Sequence, residues 1–118
     1  MSDQCELATP DHDSVALVRE HILGADVADR VASSFWALSD PTRVRIIHAL
    51  SLAELCNCDL ASILGISESA VSHQMRDLRL MNLVKAEKRG RMVFYRLNDT
   101  HVRHIFEDSL KHALEDEP

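Results

Sequence analysis

Apolar positions recur at helical spacing along this chain up to about residue 81, alternate between residues 83 and 97, and return to helical spacing to the end. The first periodic segment, Asp13 to Leu23, is amphipathic and stops at Gly24. Asp26 to Leu38 places Val27, Val31, Ala32, Phe35 and Leu38 at helical spacing, and Ser39-Asp40-Pro41 ends that helix and starts the next. From Thr42 to Leu50, the stripe Val44, Ile47 and Leu50 is expected to be buried, with Arg43 and Arg45 in water. Two short helices follow around Gly65. Cys58 to Leu64 turns Leu60, Ala61 and Leu64 inward. Ser67 then caps a helix running to about Met81, with Ala70, Val71, Met75, Leu78 and Met81 on one face. Leu83 to Lys88 and Met92 to Leu97 read as strands joined at Arg89-Gly90-Arg91. A last helix begins near Asp99 and carries Val102, Ile105, Phe106, Ser109, Leu110 and Ala113 on one broad stripe.

The pattern predicts a mainly α chain with a small β-hairpin. The helix pair around Gly65 reads as a helix-turn-helix and the hairpin as its wing. Residues 1–12 form an expected flexible arm, and 13–118 a single winged helix-turn-helix domain with a C-terminal dimerisation helix. A length of 118 residues with 46% hydrophobic content suits one compact domain. No apolar run approaches the ~20 residues of a membrane span, and the acidic start Met-Ser-Asp-Gln-Cys-Glu has no signal-peptide character. The expectation is a cytoplasmic protein with no membrane partner. Three cysteines in a reducing compartment serve more readily as ligands or core thiols than as disulfides. Phe35 and Trp36 read as core or dimer contacts.

A net charge of −6 by itself argues against nucleic acid as a partner. Its distribution reverses that. Ser67 to Arg96 holds seven basic and three acidic residues, a local footprint suited to phosphate. Ser67, Ser69, Ser72, His73, Gln74 and Arg76 lie on or near the polar side of the second short helix, and Lys88, Arg89 and Arg91 lie at the wing. These residue types bond base edges and phosphates, so all nine are candidate contacts to double-stranded operator DNA.

Asp99, His101, His112 and Glu115 form two pairs centred on nearly the same point. The histidines are eleven residues apart, three helical turns and about 16 Å, so no single ion can touch both within one chain. If two copies of the helix cross antiparallel on a two-fold axis near residue 106, His101 of one lies beside His112 of the other, and Asp99 beside Glu115. Two imidazoles and two carboxylates then form a set suited to tetrahedral zinc. The plainer alternative is a solvated face with Asp99 as a helix cap, and it suits His104, which has no partner at the mirrored spacing. The stripe Val102, Ile105, Phe106, Leu110 and Ala113 is too broad to leave in water and is the expected dimer contact. Cys56 and Cys58 read either as small core thiols or as thiolate ligands for a soft metal.

The chain resembles the ArsR/SmtB family of metal-sensing repressors. The resemblance spans roughly Val27 to Glu115. It rests on Ala37-Leu38-Ser39-Asp40-Pro41-Thr42-Arg43, Glu54-Leu55-Cys56-Asn57-Cys58-Asp59-Leu60, Ser67-Glu68-Ser69-Ala70-Val71-Ser72-His73-Gln74, Gly90-Arg91, Tyr95-Arg96-Leu97, and Asp99-Thr100-His101 with His112 and Glu115. It implies a winged-helix homodimer, joined through its N- and C-terminal helices, that binds its operator without metal and releases it with metal. It also implies an inter-subunit metal site at Asp99, His101, His112 and Glu115, and a second at Cys56 and Cys58 with the arm. Members with a full thiolate site have two arm cysteines. This arm offers Cys5, with Asp11 and His12 as substitutes and Asp59 as a further candidate. A relay from a ligand histidine to the backbone near Asn82 is also implied. Zinc is the expected ion, with cadmium or lead as alternatives. Two other readings stay open: an arsenite or other soft-ion sensor acting through Cys5, Cys56 and Cys58, and a metal buffer without a DNA role. No nucleophile motif or phosphate loop suggests an enzyme.

Overall fold

A computed structural model describes residues 12–115. The chain divides into two compact units, residues 1–30 and 31–118. In the first, α1 (His12–His21) buries none of its side chains; Val15, Leu17 and Val18 on it, and Ile22 just beyond, are exposed. Helix α2 (Ala25–Trp36) begins in this unit and ends in the second.

The second unit continues with α3 (Pro41–Leu52), β1 (Leu55–Cys56), α4 (Asn57–Leu64), α5 (Glu68–Leu80), β2 (Val84–Arg89), β3 (Met92–Leu97) and α6 (Thr100–Glu115). Asp40 starts α3: its extended backbone turns the carboxylate to accept from the Arg43 N–H at 3.1 Å, and Pro41 supplies a preset first helical φ. The buried face of α3 is Ile46, Ile47 and Leu50, so Ile46 takes the place expected of Val44, which is half-buried. Arg43 is also not in water. Its guanidinium stacks 3.7 Å from the Trp36 ring centroid and donates to the Trp36 carbonyl and to Ser39 Oγ, closing the α2–α3 corner.

Between α4 and α5, Gly65 takes a left-handed φ of +69°, where a side chain is strained, and the Ser67 hydroxyl accepts from the Ala70 N–H at 3.0 Å. At the other end of α5, Asn82 also has positive φ, and the Leu83 N–H bonds back to the Leu78 carbonyl at 3.0 Å. Strands β2 and β3 pair antiparallel from Val84↔Leu97 to Arg89↔Met92, so the connecting turn is the two residues Gly90 and Arg91. Strand β1, too short to show a period, adds to the other edge of β3 through Leu55↔Tyr95 and Cys56↔Phe94. The sheet order is β1-β3-β2.

One core joins these elements: Ile46, Ile47 and Leu50 of α3, Leu60 of α4, Val71, Met75 and Leu78 of α5, Tyr95 and Leu97 of β3, and Val102 and Phe106 of α6. The α6 stripe is therefore split. Val102 and Phe106 fill the chain's own core, with Phe106 stacked on His48 at 5.2 Å between ring centroids, whereas Leu110 and Leu114 are exposed. This corrects the assignment of Phe106 to a contact between copies.

Leu60→Ala, at a fully buried position, is expected to cost about 2–5 kcal/mol, whereas Leu52→Ala, at a 75% exposed one, should stay within about 0.5 kcal/mol of the parent. Urea unfolding of both variants checks this. Equal shifts would misplace the core.

Candidate metal centre and nucleic-acid interface

Cys56 ends β1 and caps α4, and that double duty places its side chain. The strand pairing holds its backbone against Phe94 of β3, while the helix begins at the next residue. One helical turn brings Cys58 and Asp59 to the same spot. Cys56 Sγ lies 3.2 Å from Cys58 Sγ, and the Asp59 carboxylate accepts from the Cys56 backbone N–H at 3.4 Å. The ligand atoms of all three residues lie within 4.8 Å of one another, which no other group of three His, Cys, Asp or Glu residues achieves among the described residues. Cys56 is buried; Cys58 and Asp59 are exposed. Burial pushes the Cys56 thiol above its ordinary pKa, and the neighbouring Cys58 and Asp59 side chains push the same way.

Two sulfurs and a carboxylate suit a soft or borderline divalent ion. Tetrahedral zinc with bonds of about 2.3 Å to sulfur sets the two sulfurs about 3.8 Å apart. The pair at 3.2 Å reaches that spacing by opening roughly half an ångström. The thiols border a cleft of about 110 Å³ that is also lined by Asn57, Glu68 in the first turn of α5, and Arg91 at the wing tip. His12 is exposed at the head of α1, in the other unit; Cys5 and Asp11 lie outside the described residues.

The terminal set is not gathered within one chain, as its spacing requires. Asp99 caps α6, accepting from the His101 N–H at 2.9 Å and the Val102 N–H at 3.4 Å. His101, His104, His112 and Glu115 are exposed on the same helix. Next to this set, Asn98 donates to the Asn82 carbonyl at 2.8 Å, joining the head of α6 to the end of α5. The backbone near Asn82 is where a histidine relay was expected to arrive; here its carbonyl is met by Asn98.

On α5, Ser69, Ser72, His73 and Arg76 are exposed and Gln74 is half-buried. Ser67 Oγ is occupied as a cap, and Ser72 Oγ accepts from Asn57 Nδ2 at 3.1 Å. Lys88 and Arg91 are exposed at the wing, but Arg89 is engaged by acids. It pairs with Glu54 and, at 2.9 Å, with Glu87, and lies 4.7 Å over the Phe94 ring. The Glu87 carboxyl is correspondingly held below its ordinary pKa by Arg89. Sequence patterning put Arg89 among the phosphate contacts because charge alone says nothing of partners. It had no means of finding Asn57, whose only signal is an amide placed between two cysteines.

The model of bacterial regulatory proteins of the arsR family matches residues 40–86, the stretch from the α3 cap through the helix-turn-helix into β2. The transcriptional repressor SmtB homolog of Synechocystis is 44% identical over 103 residues, 87% of this chain and 78% of that protein. The chain belongs to the ArsR family. A cadmium resistance transcriptional regulatory protein CadC homolog of Staphylococcus aureus is 39% identical over 114 residues, 96% of this chain and 93% of that one. Among solved structures, the AntR antimony-specific transcriptional repressor superposes with a TM-score of 0.74 at 31% identity, covering 80% of this chain and 86% of that one. The winged helix-turn-helix architecture of this ArsR-family chain thus agrees with its order of elements. Among the described residues, no helix is long and apolar enough to cross a membrane.

Cadmium added to the reduced protein is expected to give a thiolate charge-transfer absorption that vanishes when Cys56 and Cys58 are both serine and weakens only partly in Cys5→Ser. A parent protein without that band would leave the pair as packing thiols.

Proposed function

We propose that this chain is a homodimeric repressor that holds operator DNA in its metal-free form and lets go when zinc is bound. The observation that carries the metal-responsive part of the reading, for zinc or for cadmium or lead, is the place of the Cys56, Cys58 and Asp59 cluster. These ligands sit at the junction of the helix-turn-helix and the wing, the two parts with which a winged helix meets DNA. The relatives' names, a repressor SmtB homolog and a cadmium resistance regulator, support the same reading. Such a protein acts in the cytoplasm, where operator DNA is found.

Release has to be a coupling free energy: metal weakens DNA binding only if it favours a dimer geometry that fits the operator poorly. His101 and Asp99 of one α6, facing His112 and Glu115 of its copy, set the crossing of the two helices. That crossing governs the spacing of two α5 helices, which must meet major grooves about 34 Å apart. Imidazole and carboxylate suit zinc there, whereas Cys56 and Cys58, with Cys5, suit cadmium or lead. The close thiol pair also favours a second reading, a soft-ion sensor for arsenite, which would need Cys5 as the third sulfur. A metal buffer has no use for a recognition helix and a basic wing. The chain is no enzyme on this reading, since four protein ligands leave no open position for a substrate.

The exposed Leu110 and Leu114 on α6, with Val31 and Phe35 on α2, supply apolar surface for the copy. Leu110→Glu with Leu114→Glu is expected to give a folded monomer in sedimentation, while Phe106→Glu should unfold the chain. A dimer that survives the leucine pair would move the interface elsewhere.

His101→Ala or His112→Ala is expected to leave metal-free DNA affinity nearly intact and abolish release by zinc, measured by fluorescence anisotropy on an operator duplex. Affinity should fall steeply with salt, and Arg91→Ala should weaken binding more than Arg89→Ala, whose charge is already met by Glu54 and Glu87. Histidine variants that still release DNA at the same zinc concentration would make the terminal set structural.

A further inference from the structure

We infer that Asn57 is the positioning residue through which the thiol pair acts on the recognition helix α5. This rests on the thiol branch of the function proposed above and adds its route.

Asn57 is the first residue of α4 and stands between Cys56 and Cys58. A side chain at a helix start ordinarily points to solvent, but this one turns inward. Its Nδ2 donates to Ser72 Oγ at 3.1 Å, a contact between residues 15 apart in sequence. Its Oδ1 is buried with no hydrogen-bond partner among the described residues. An unmet buried acceptor is a cost that an apolar residue filling the same space would avoid, so packing alone does not explain an amide here.

The bond also sets what Ser72 presents. A hydroxyl has one donor hydrogen and two acceptor lone pairs. With one lone pair taken by Asn57, Ser72 Oγ keeps its donor hydrogen and one lone pair on the exposed face of α5. On this inference, an ion that draws Cys56 and Cys58 to its own spacing also shifts the helix turn that carries Asn57. A hydrogen bond of 3.1 Å tolerates only a few tenths of an ångström before it weakens. The Asn57–Ser72 bond is thus made in the metal-free chain and strained in the loaded one.

The test compares the full-length parent with Asn57→Ala and Asn57→Leu, the leucine filling the volume should alanine fail to fold. Cadmium is the ion, and a duplex of the DNA preceding the protein's own coding region is the partner. Both variants are expected to keep the cadmium–thiolate absorption of the parent. The ratio of DNA affinities without and with cadmium should shrink roughly three- to tenfold, the effect of one neutral hydrogen bond. In metal-free protein, amide exchange over residues 68–76 should speed up, which needs no metal to read. An unchanged affinity ratio beside a responsive parent overturns the inference and leaves the proposed function standing. Loss of the cadmium band in the variants also overturns it, since Asn57 would then belong to metal binding. A parent that cadmium fails to release removes the thiol branch and this inference with it.

Discussion

Burial of one apolar layer between α3, α4 and α5 holds everything else in place. Leu60 is the single fully buried residue of α4, and it enters the same cluster as Ile46, Ile47, Val71, Met75 and Leu78. A helix of eight residues has too few hydrogen bonds to persist alone in water, so α4 exists because that layer accepts it. With α4 comes the geometry of its first turn, and with that turn the meeting of Cys56, Cys58 and Asp59. The candidate metal centre is therefore a by-product of core packing made useful by three side chains.

The same packing explains how a site at one place can act at another. Strand β1 ties the thiol segment to β3 of the wing, Asn57 ties it to Ser72 of α5, and Arg89 ties Glu54, just ahead of β1, to the β2 edge of the hairpin. These are short, direct contacts, each sensitive to shifts of a few tenths of an ångström. The terminal set has a comparable link, from Asn98 to the Asn82 carbonyl at the far end of α5. The recognition helix is thus held at its first turns by α4 and at its last by the head of α6. On the proposed function, an ion at either end would change one hold while the other stays.

Electrostatics sorts the basic residues more finely than their count. Arg43 looks like a surface cation and instead lies on Trp36 at an element corner, while Arg89 looks like a wing contact and is answered by two carboxylates. Lys88 and Arg91 keep their exposure at the hairpin tip. The Gly90-Arg91 turn is responsible: glycine supplies the left-handed first position, which lets the chain reverse in two residues and pushes Arg91 outward.

The amino-acid sequence by itself determined the order of the helices and the hairpin, the break at Ser39-Asp40-Pro41, the cap at Ser67, the turn at Gly65 and the period-2 hairpin, because these depend on neighbours within a few positions. It also determined that His101 and His112 cannot share an ion in one chain, since helix pitch alone decides that. Only the tertiary structure decided that Phe106 belongs to the core, that Ile46 displaces Val44, that Arg89 is occupied and that a two-residue strand exists at Leu55 and Cys56. Each of these follows from a contact between segments far apart in the chain, such as His48 with Phe106 or Glu54 with Arg89. Periodicity reports which face of an element is apolar, not which surface receives it. That choice is made by packing, and it is why Asn57 gains its meaning only when α5 lies against it.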